Sequence, residues 1–351
     1  MTDQHPTYLE PSELGTKDYW ESYYARTLSH LSSKQPAPIA SSSTNKPSPQ
    51  QPPSTSPDEE AEEDSEDDVD DDSDPGTSWF SEHNAPEKVL DFLTDETFPL
   101  APCHTEPLPG HAAEGEEAQL PQPSILDLGT GNGSMLALLR KRGGFRGAMV
   151  GVDYSAQSVE LARRLQALRI HRAYLSDSED EESEDEGEGG GEGTNIRFEE
   201  WDILSSSASP VAEGLAWFPY ERRGFDIVLD KGTFDAVSLS AEVVSGSSGE
   251  GESAPGTEGE GQERKGGKMV QRRVCERYPG IARGLVRPGG FLVVTSCNWT
   301  EEELVEWFTA SADDGQKDRL VVWGRVEYPR FRFGGREGQG VCTVCFQRVV
   351  A

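Results

Sequence analysis

The stretch Ser124-Ile125-Leu126-Asp127-Leu128-Gly129-Thr130-Gly131-Asn132-Gly133 constrains this chain more than any other. Ser124 to Leu128 is an apolar run long enough for one strand and too short for a helix. Three alternating glycines follow, and Met135-Leu136-Ala137-Leu138-Leu139-Arg140 then reads as the opening of a helix. Strand, glycine turn and helix N-terminus together make a cradle for a cofactor. Glycine lets the backbone approach a ligand closely and take a positive φ without a Cβ clash. The helix start adds unpaired N–H groups and partial positive charge. A purely structural strand-to-helix turn is the alternative reading of the same residues.

The order of residues selects among cofactors. A dinucleotide fingerprint G-x-G-x-x-G/A needs Gly or Ala at position 134, where Ser134 stands. Here the third glycine comes one residue early, as G-x-G-x-G, and Asp127 precedes the first. A carboxylate at that point repels a pyrophosphate and suits a cofactor carrying an amino group and a sulfonium. The pattern Asp127-x-Gly129-x-Gly131-x-Gly133 resembles motif I of class I S-adenosylmethionine-dependent methyltransferases. That resemblance implies S-adenosyl-L-methionine as the cofactor.

Charge patterning sorts the rest of the chain. Of 351 residues with a net charge of −32, Asp58 to Asp74 holds 13 acids and Asp177 to Glu192 holds 10, with no Lys or Arg in either. Without those 23 charges the remainder carries −9. Such runs repel themselves and are expected to be disordered. They serve either to attract a basic partner at long range or only to keep the protein soluble. Ser32 to Pro57, Ala101 to Gln122 and Ala241 to Gly267 also lack an apolar period. The expected organisation is a lid helix in 1–31, a Ser/Pro-rich and acidic insertion at 32–77, and one domain over 78–351. That domain is interrupted near 101–122, 176–194 and 241–267. The N-terminus is polar, and no run approaches the roughly 18 apolar residues of a membrane span. Five scattered cysteines suit a reducing cytoplasm or nucleus, and Cys342-x-x-Cys345 sits in an alternating strand pattern without a second pair to complete a zinc site.

Leu14 to Ala25 reads as a helix with Tyr19, Trp20, Tyr23 and Tyr24 on one aromatic face. It either caps the core or forms a lid that shields the cofactor, with Trp20 at the pocket. A second helix is expected from Asn84 to about Asp95, capped by Asn84 or Ser81. Beyond the glycine turn, Ala148 to Asp153 is a buried strand ending in an acid. Asp153 is placed to accept ribose hydroxyls, as in open α/β sheets generally, or to cap the helix that Ser155 opens. Asn195 to Glu200 is the third strand. Trp201 and Asp202 at its end are placed to stack on adenine and accept its amine, unless they form an ordinary loop.

Phe225 to Asp230 is the fourth strand, and Asp230 at its carboxyl end is expected to face the transferring methyl or the acceptor. Its alternative is a loop pair with Lys231. Lys268 to about Arg287 reads as a helix stopped by Pro288-Gly289-Gly290, and Phe291 to Thr295 as the fifth strand. Thr300 with Glu303 predicts a capping box for a helix from Glu301 to about Ala310. Two strands, Leu320 to Arg332 and Gly340 to Gln347, close the chain as a hairpin around Gly334 to Gly338. The expected fold is α/β: a Rossmann-like seven-stranded methyltransferase sheet with a C-terminal antiparallel hairpin and helices on both faces.

Several phrases resemble one family in particular. They are Leu14-Gly-Thr-Lys-Asp-Tyr-Trp20, Trp79-Phe80-Ser-Glu82, the glycine turn, Gly151-Val-Asp-Tyr-Ser155, Asp230-Lys-Gly-Thr-Phe-Asp-Ala236, Thr295-Ser-Cys-Asn-Trp-Thr300 and Phe331-Arg-Phe-Gly-Gly-Arg336. The family is the protein-lysine methyltransferases of translation elongation factor 1-alpha, the yeast Efm-type enzymes and their animal methyltransferase-like relatives. The resemblance implies cofactor contact by Asp127, Gly129, Asp153 and Asp202 and a substrate-side role near Asp230. It also implies a protein substrate, no metal, and a cytoplasmic monomer. Trp299 or Trp20 is expected to line an apolar channel to the methyl. Two other classes compete. A nucleic-acid methyltransferase needs a basic face, which the acidic remainder lacks, and the Asn/Asp-Pro-Pro-aromatic phrase of base methylators is absent. A catalytically dead scaffold has no reason to keep Asp127, the glycines and Asp153.

Overall fold

A computed structural model describes residues 6–34, 76, 80, 82–105, 121–169, 173, 196–205, 214–244, 272–310, 317–333 and 336–351. The acidic runs and most of the expected insertions lie outside these residues. The edges of three insertions lie inside them: 32–34 end a helix, Thr105 accepts a hydrogen bond from Gln122 at 3.0 Å, and Val243 bridges to Arg273.

Seven strands form one sheet: β1 (Ile125–Leu128), β2 (Met149–Asp153), β3 (Ile196–Glu200), β4 (Phe225–Lys231), β5 (Val286–Ser296), β6 (Asp318–Val326) and, last in the chain, β9 (Cys342–Val350). The spatial order is β3-β2-β1-β4-β5-β9-β6. The first five run parallel, while β9 is antiparallel to both β5 and β6. Strand order reverses between β1 and β4, so their carboxyl ends open a crevice for a ligand. Asp226 locks the opposite end. Its carboxylate accepts from the Ser124 N–H and hydroxyl at 2.8 and 2.7 Å and pairs with Arg222 and Arg287.

Both faces of the central strands are covered, which is why they read as unbroken apolar runs. Ile125, Ile227, Leu229 and Val293 face one core with α1 (Lys17–Lys34), α2 (Ala85–Thr94), α3 (Ser134–Lys141) and α4 (Ala156–Leu168). Leu126, Leu128, Val228 and Val294 face the other, with α5 (Thr233–Ser238), α6 (Tyr278–Leu285) and α7 (Glu301–Thr309). The Thr300–Glu303 capping box is present at the start of α7.

Five local expectations are corrected. The N-terminal helix begins at Lys17 and runs to Lys34, with Glu13–Gly15 as a separate 3-10 turn. Asn84 stands at the cap of α2 in a left-handed conformation with no side-chain cap bond. The described part of the expected 268–287 helix is a 3-10 turn, Val274–Arg277, followed by α6, which ends at Leu285. Pro288-Gly289-Gly290 lies inside β5, where Phe225 pairs with Val286 but Ile227 with Phe291, so Arg287 to Gly290 lie opposite Asp226 alone. The closing run also breaks at Pro329, which has no N–H to continue a ladder. Beyond it β7 (Arg330–Phe333) and β8 (Arg336–Gln339) form a separate two-stranded sheet, and the chain returns as β9 between β5 and β6. Cys342 and Cys345 are both buried in β9.

Candidate active site

A cavity of about 540 Å³ opens at the carboxyl ends of β1 and β4. Its floor is the turn after β1, where Gly129 and Gly131 both have φ near +57°. The two glycines are required for different reasons. A Cβ on Gly129 would stand 2.2 Å from Thr233 Oγ1, the atom that donates to Leu128 O at 2.6 Å and binds α5 to the turn. A Cβ on Gly131 would stand 2.9 Å from the Tyr24 hydroxyl, which comes down from α1. The backbone is therefore bare where a ligand approaches and is packed from behind.

Asp153 ends β2 on the cavity wall, only 5% exposed. Its carboxylate accepts from Gly131 N at 3.1 Å, Ser158 Oγ at 2.8 Å and Ser155 N at 2.9 Å. One side chain thus ties the glycine turn to the start of α4 and also presents oxygen to the cavity. Burial raises its pKa against those three donors. Trp201 and Asp202 line the same wall, and Trp201 N donates to Asp153 O at 2.8 Å. Asp202 accepts from Leu204 N at 2.9 Å.

The roof comes from α1. Trp20 and Tyr24 stack at 6.0 Å and both line the cavity, and Trp20 Nε1 donates to Leu14 O at 2.8 Å. The helix is held by its Glu21 carboxylate, which accepts from Ala156 N and Gln157 N at 3.1 and 3.3 Å, two of the unpaired donors at the start of α4. The Tyr154 hydroxyl adds a bond to Thr16 O at 3.1 Å.

Three of the nine residues singled out in the sequence lie off the cavity wall: Asp127, Gly133 and Asp230. Asp127 sits beneath the turn, accepting from Thr130 Oγ1 at 2.8 Å. Burial pushes its carboxyl up to about 6, against the charge of Lys231. Asp230, expected to face the acceptor, is 1% exposed and fully engaged. Its Oδ1 accepts from Thr233 N and Phe234 N at 2.9 and 3.2 Å, capping α5, and its Oδ2 accepts from the Tyr278 hydroxyl at 2.7 Å. Burial raises its pKa to about 7. The physical reason for its placement is strand alternation, which turns Asp230 to the face opposite Leu229. The two most specific phrases also meet in the core: Asp235 accepts from Ser296 Oγ at 2.5 Å and Cys297 N at 2.9 Å. Trp299 packs on Phe234 and Trp307 and is likewise absent from the wall.

Of four further residues on the wall, the sequence reading gave Tyr24 only a place on the lid's aromatic face, Lys231 only a loop pair, and Thr130 and Thr233 no role. Lys231 is half-buried. Burial pulls its pKa down, and Asp127 and Asp230 oppose that. Counting alternate residues from the buried Ile227 and Leu229 would have found it. Bare glycine backbone, a carboxylate on the wall and flanking aromatic surface fit a cofactor with ribose, adenine and a cationic centre.

A family model described as a methyltransferase domain matches residues 121–185. The protein-lysine N-methyltransferase EFM4 of Saccharomyces cerevisiae is 29% identical over 338 residues, 96% of each chain. Its Schizosaccharomyces pombe namesake is 26% identical over 343 residues, 97% of this chain and 95% of the relative. EEF1A lysine methyltransferase 2 of Danio rerio is 27% identical over 339 residues, 96% of this chain and 89% of the relative. With the sheet order and the glycine-floored cavity, the chain is an S-adenosylmethionine-dependent methyltransferase, similar along nearly its whole length to protein-lysine N-methyltransferases.

Proposed function

We propose that this enzyme methylates a lysine side chain of translation elongation factor 1-alpha, acting as a cytoplasmic monomer on protein and not on nucleic acid. The observation that carries the reading is the glycine-floored cavity roofed by α1, in a chain whose relatives are named for lysine methylation of that factor. The cofactor supplies, when bound, a methyl group on a sulfonium. Gly129 and Gly131 give it backbone to rest on, Asp153 accepts from its ribose, and Trp201 and Asp202 receive its adenine. Trp20 and Tyr24, held down by Glu21, exclude water, so α1 is the lid. Exclusion of water also favours the neutral form of an incoming lysine amine, because desolvation disfavours the charged one. The remaining requirement is alignment of nitrogen and methyl, which positioning alone can meet. Asp230 acts through α5 and Tyr278 as a positioning residue for this end of β4.

The test is to incubate the purified protein with labelled methyl donor and purified elongation factor 1-alpha, and in parallel with a cytosolic extract. One labelled band at the factor, with the mass of a methylated lysine, is expected. Label confined to nucleic acid or to a different protein would reject the substrate.

A further inference from the structure

The acceptor end of the cavity can be located from a strained segment. Phe80, His83 and Asn84 all have left-handed backbone, at φ +71°, +68° and +51°. Residues with side chains rarely adopt that conformation and keep it only where their surroundings over-determine it. Here the return into β9 runs close against the segment and leaves no room for a side chain at Gly340, whose Cβ would stand 2.9 Å from His83 Nε2. Phe80 and Ala85 are also buried against Val326, Tyr328 and Val341. The strain has one visible result: it brings Phe80, Asn84 and Pro86 to the cavity wall.

Opposite them stands Lys231, whose Nζ lies over the Phe80 ring, 5.6 Å from its centroid. Lys231 ends β4, and its pairing with Thr295 and the register of β1 with β4 place it beside the glycine turn. An ammonium over an aromatic face is held by the ring quadrupole. The arrangement is a primary amine on a four-carbon stem, seated on an aromatic ring inside the cofactor cavity, which is the chemistry of the proposed substrate side chain. We propose that the Phe80 ring is the docking face for the acceptor lysine, and that Lys231 is a resident ammonium that marks this place and yields it when the acceptor enters. Asp127, which register places on the same face of the sheet as Leu229 and Lys231, is the carboxyl toward which its flexible stem withdraws. This inference rests on the lysine reading above.

A binding experiment separates the two. The protein is saturated with S-adenosylhomocysteine, and saturation-transfer NMR is recorded with N-acetyl-lysine methylamide as probe and N-acetyl-norleucine methylamide as the uncharged control. Transfer to the probe's ε-methylene is expected in wild type and Phe80→Tyr, about fivefold weaker in Phe80→Leu as for loss of a cation–π contact, and stronger in Lys231→Met. Calorimetric affinity for S-adenosylhomocysteine should be unchanged in Phe80→Leu. Equal transfer in wild type and Phe80→Leu, or a weaker signal in Lys231→Met, overturns the proposal. If Phe80→Leu does not fold, the Phe80→Tyr and Lys231→Met arms decide alone. A wild type that binds the probe yet leaves elongation factor 1-alpha unmethylated would refute the substrate and not this site.

Discussion

Replacing Asp230 by Ala distinguishes a carboxylate that touches the acceptor from one that builds the site. The side chain accepts two N–H groups at the start of α5 and the hydroxyl of fully buried Tyr278. Losing the cap costs about 0.5–2 kcal/mol. Leaving the Tyr278 hydroxyl buried and unpaired costs about 1–3 kcal/mol more. For a domain of this size each kcal/mol shifts Tm by roughly 2–4 °C, so a fall of about 3–20 °C is expected. Cofactor affinity should stay within about threefold, under 1 kcal/mol, because Asp230 is not on the cavity wall. The assay is thermal unfolding followed by circular dichroism, with calorimetry for the cofactor and turnover measured below the mutant's transition. Tyr278→Phe provides the second corner of a cycle: the double mutant should lose less than the sum of the singles, because the two groups share one buried bond. A mutant with unchanged Tm and abolished turnover would refute this reasoning and return Asp230 to the acceptor.

Asp153→Ala should weaken cofactor binding by roughly tenfold to a hundredfold, the value of a charge-assisted hydrogen bond, and unchanged affinity by calorimetry in a folded mutant would end the ribose assignment. Gly131→Ala should also impair binding, since its Cβ would meet the Tyr24 hydroxyl at 2.9 Å at φ +57°, and adding Tyr24→Phe should restore part of the loss. At Asp226 burial raises the pKa, but the donors from Ser124 and Arg287 outweigh it and the net shift is downward. Its contribution is therefore full above the ordinary carboxyl range near 4 and lost as pH falls through the folded value, so Asp226→Asn should lower Tm at pH 7 and converge on wild type in acid. At Asp230 the sign is reversed. A carboxyl raised to about 7 binds its proton more tightly when folded, so its contribution shrinks as pH rises from about 4 through 7, and Asp230→Asn should flatten that decline in Tm.

The sheet was legible because most of its parallel strands are apolar runs separated by turn residues, and polar groups mark several of their ends: Asp153 ends β2, Asp202 closely follows β3 and Lys231 ends β4. What was lost lies where two signals overlap. Pro288-Gly289-Gly290 is an ordinary helix stop, yet α6 ends three residues earlier, because Val286 already pairs with Phe225. The glycines serve the irregularity opposite Asp226. Leu320 to Arg332 alternates well enough for one long strand, and only Pro329 signals that it divides. The cap of α2 failed for a different reason. Asn84 is the right residue type, but tertiary packing holds it left-handed, where its side chain makes no cap bond.

The site was harder to read than the fold, and the reason is geometric. Asp127 and Asp230 are each the last residue but one of two adjacent strands and look equivalent in sequence. The register pairs Asp127 with Leu229 and Leu128 with Asp230, so the two carboxylates leave opposite faces of the sheet. Lys231 leaves on the face of Ile227 and Leu229, the side on which α1 and α2 pack. In a strand with one face in water, polar and apolar residues alternate and reveal which side is which. Here both faces are buried, so β4 reads Phe-Asp-Ile-Val-Leu-Asp-Lys and the alternation is hidden. The aromatic residues that line the cavity with Lys231 are no more visible. Phe80 and Tyr24 come from segments some 150 and 200 residues earlier in the chain. Tyr24 reads as one of four aromatics on a helix, and Phe80 as a residue near an acidic run. Only the register shows that one end of β4 carries two charged groups with separate tasks, Asp230 fastening α5 and Lys231 facing the cavity.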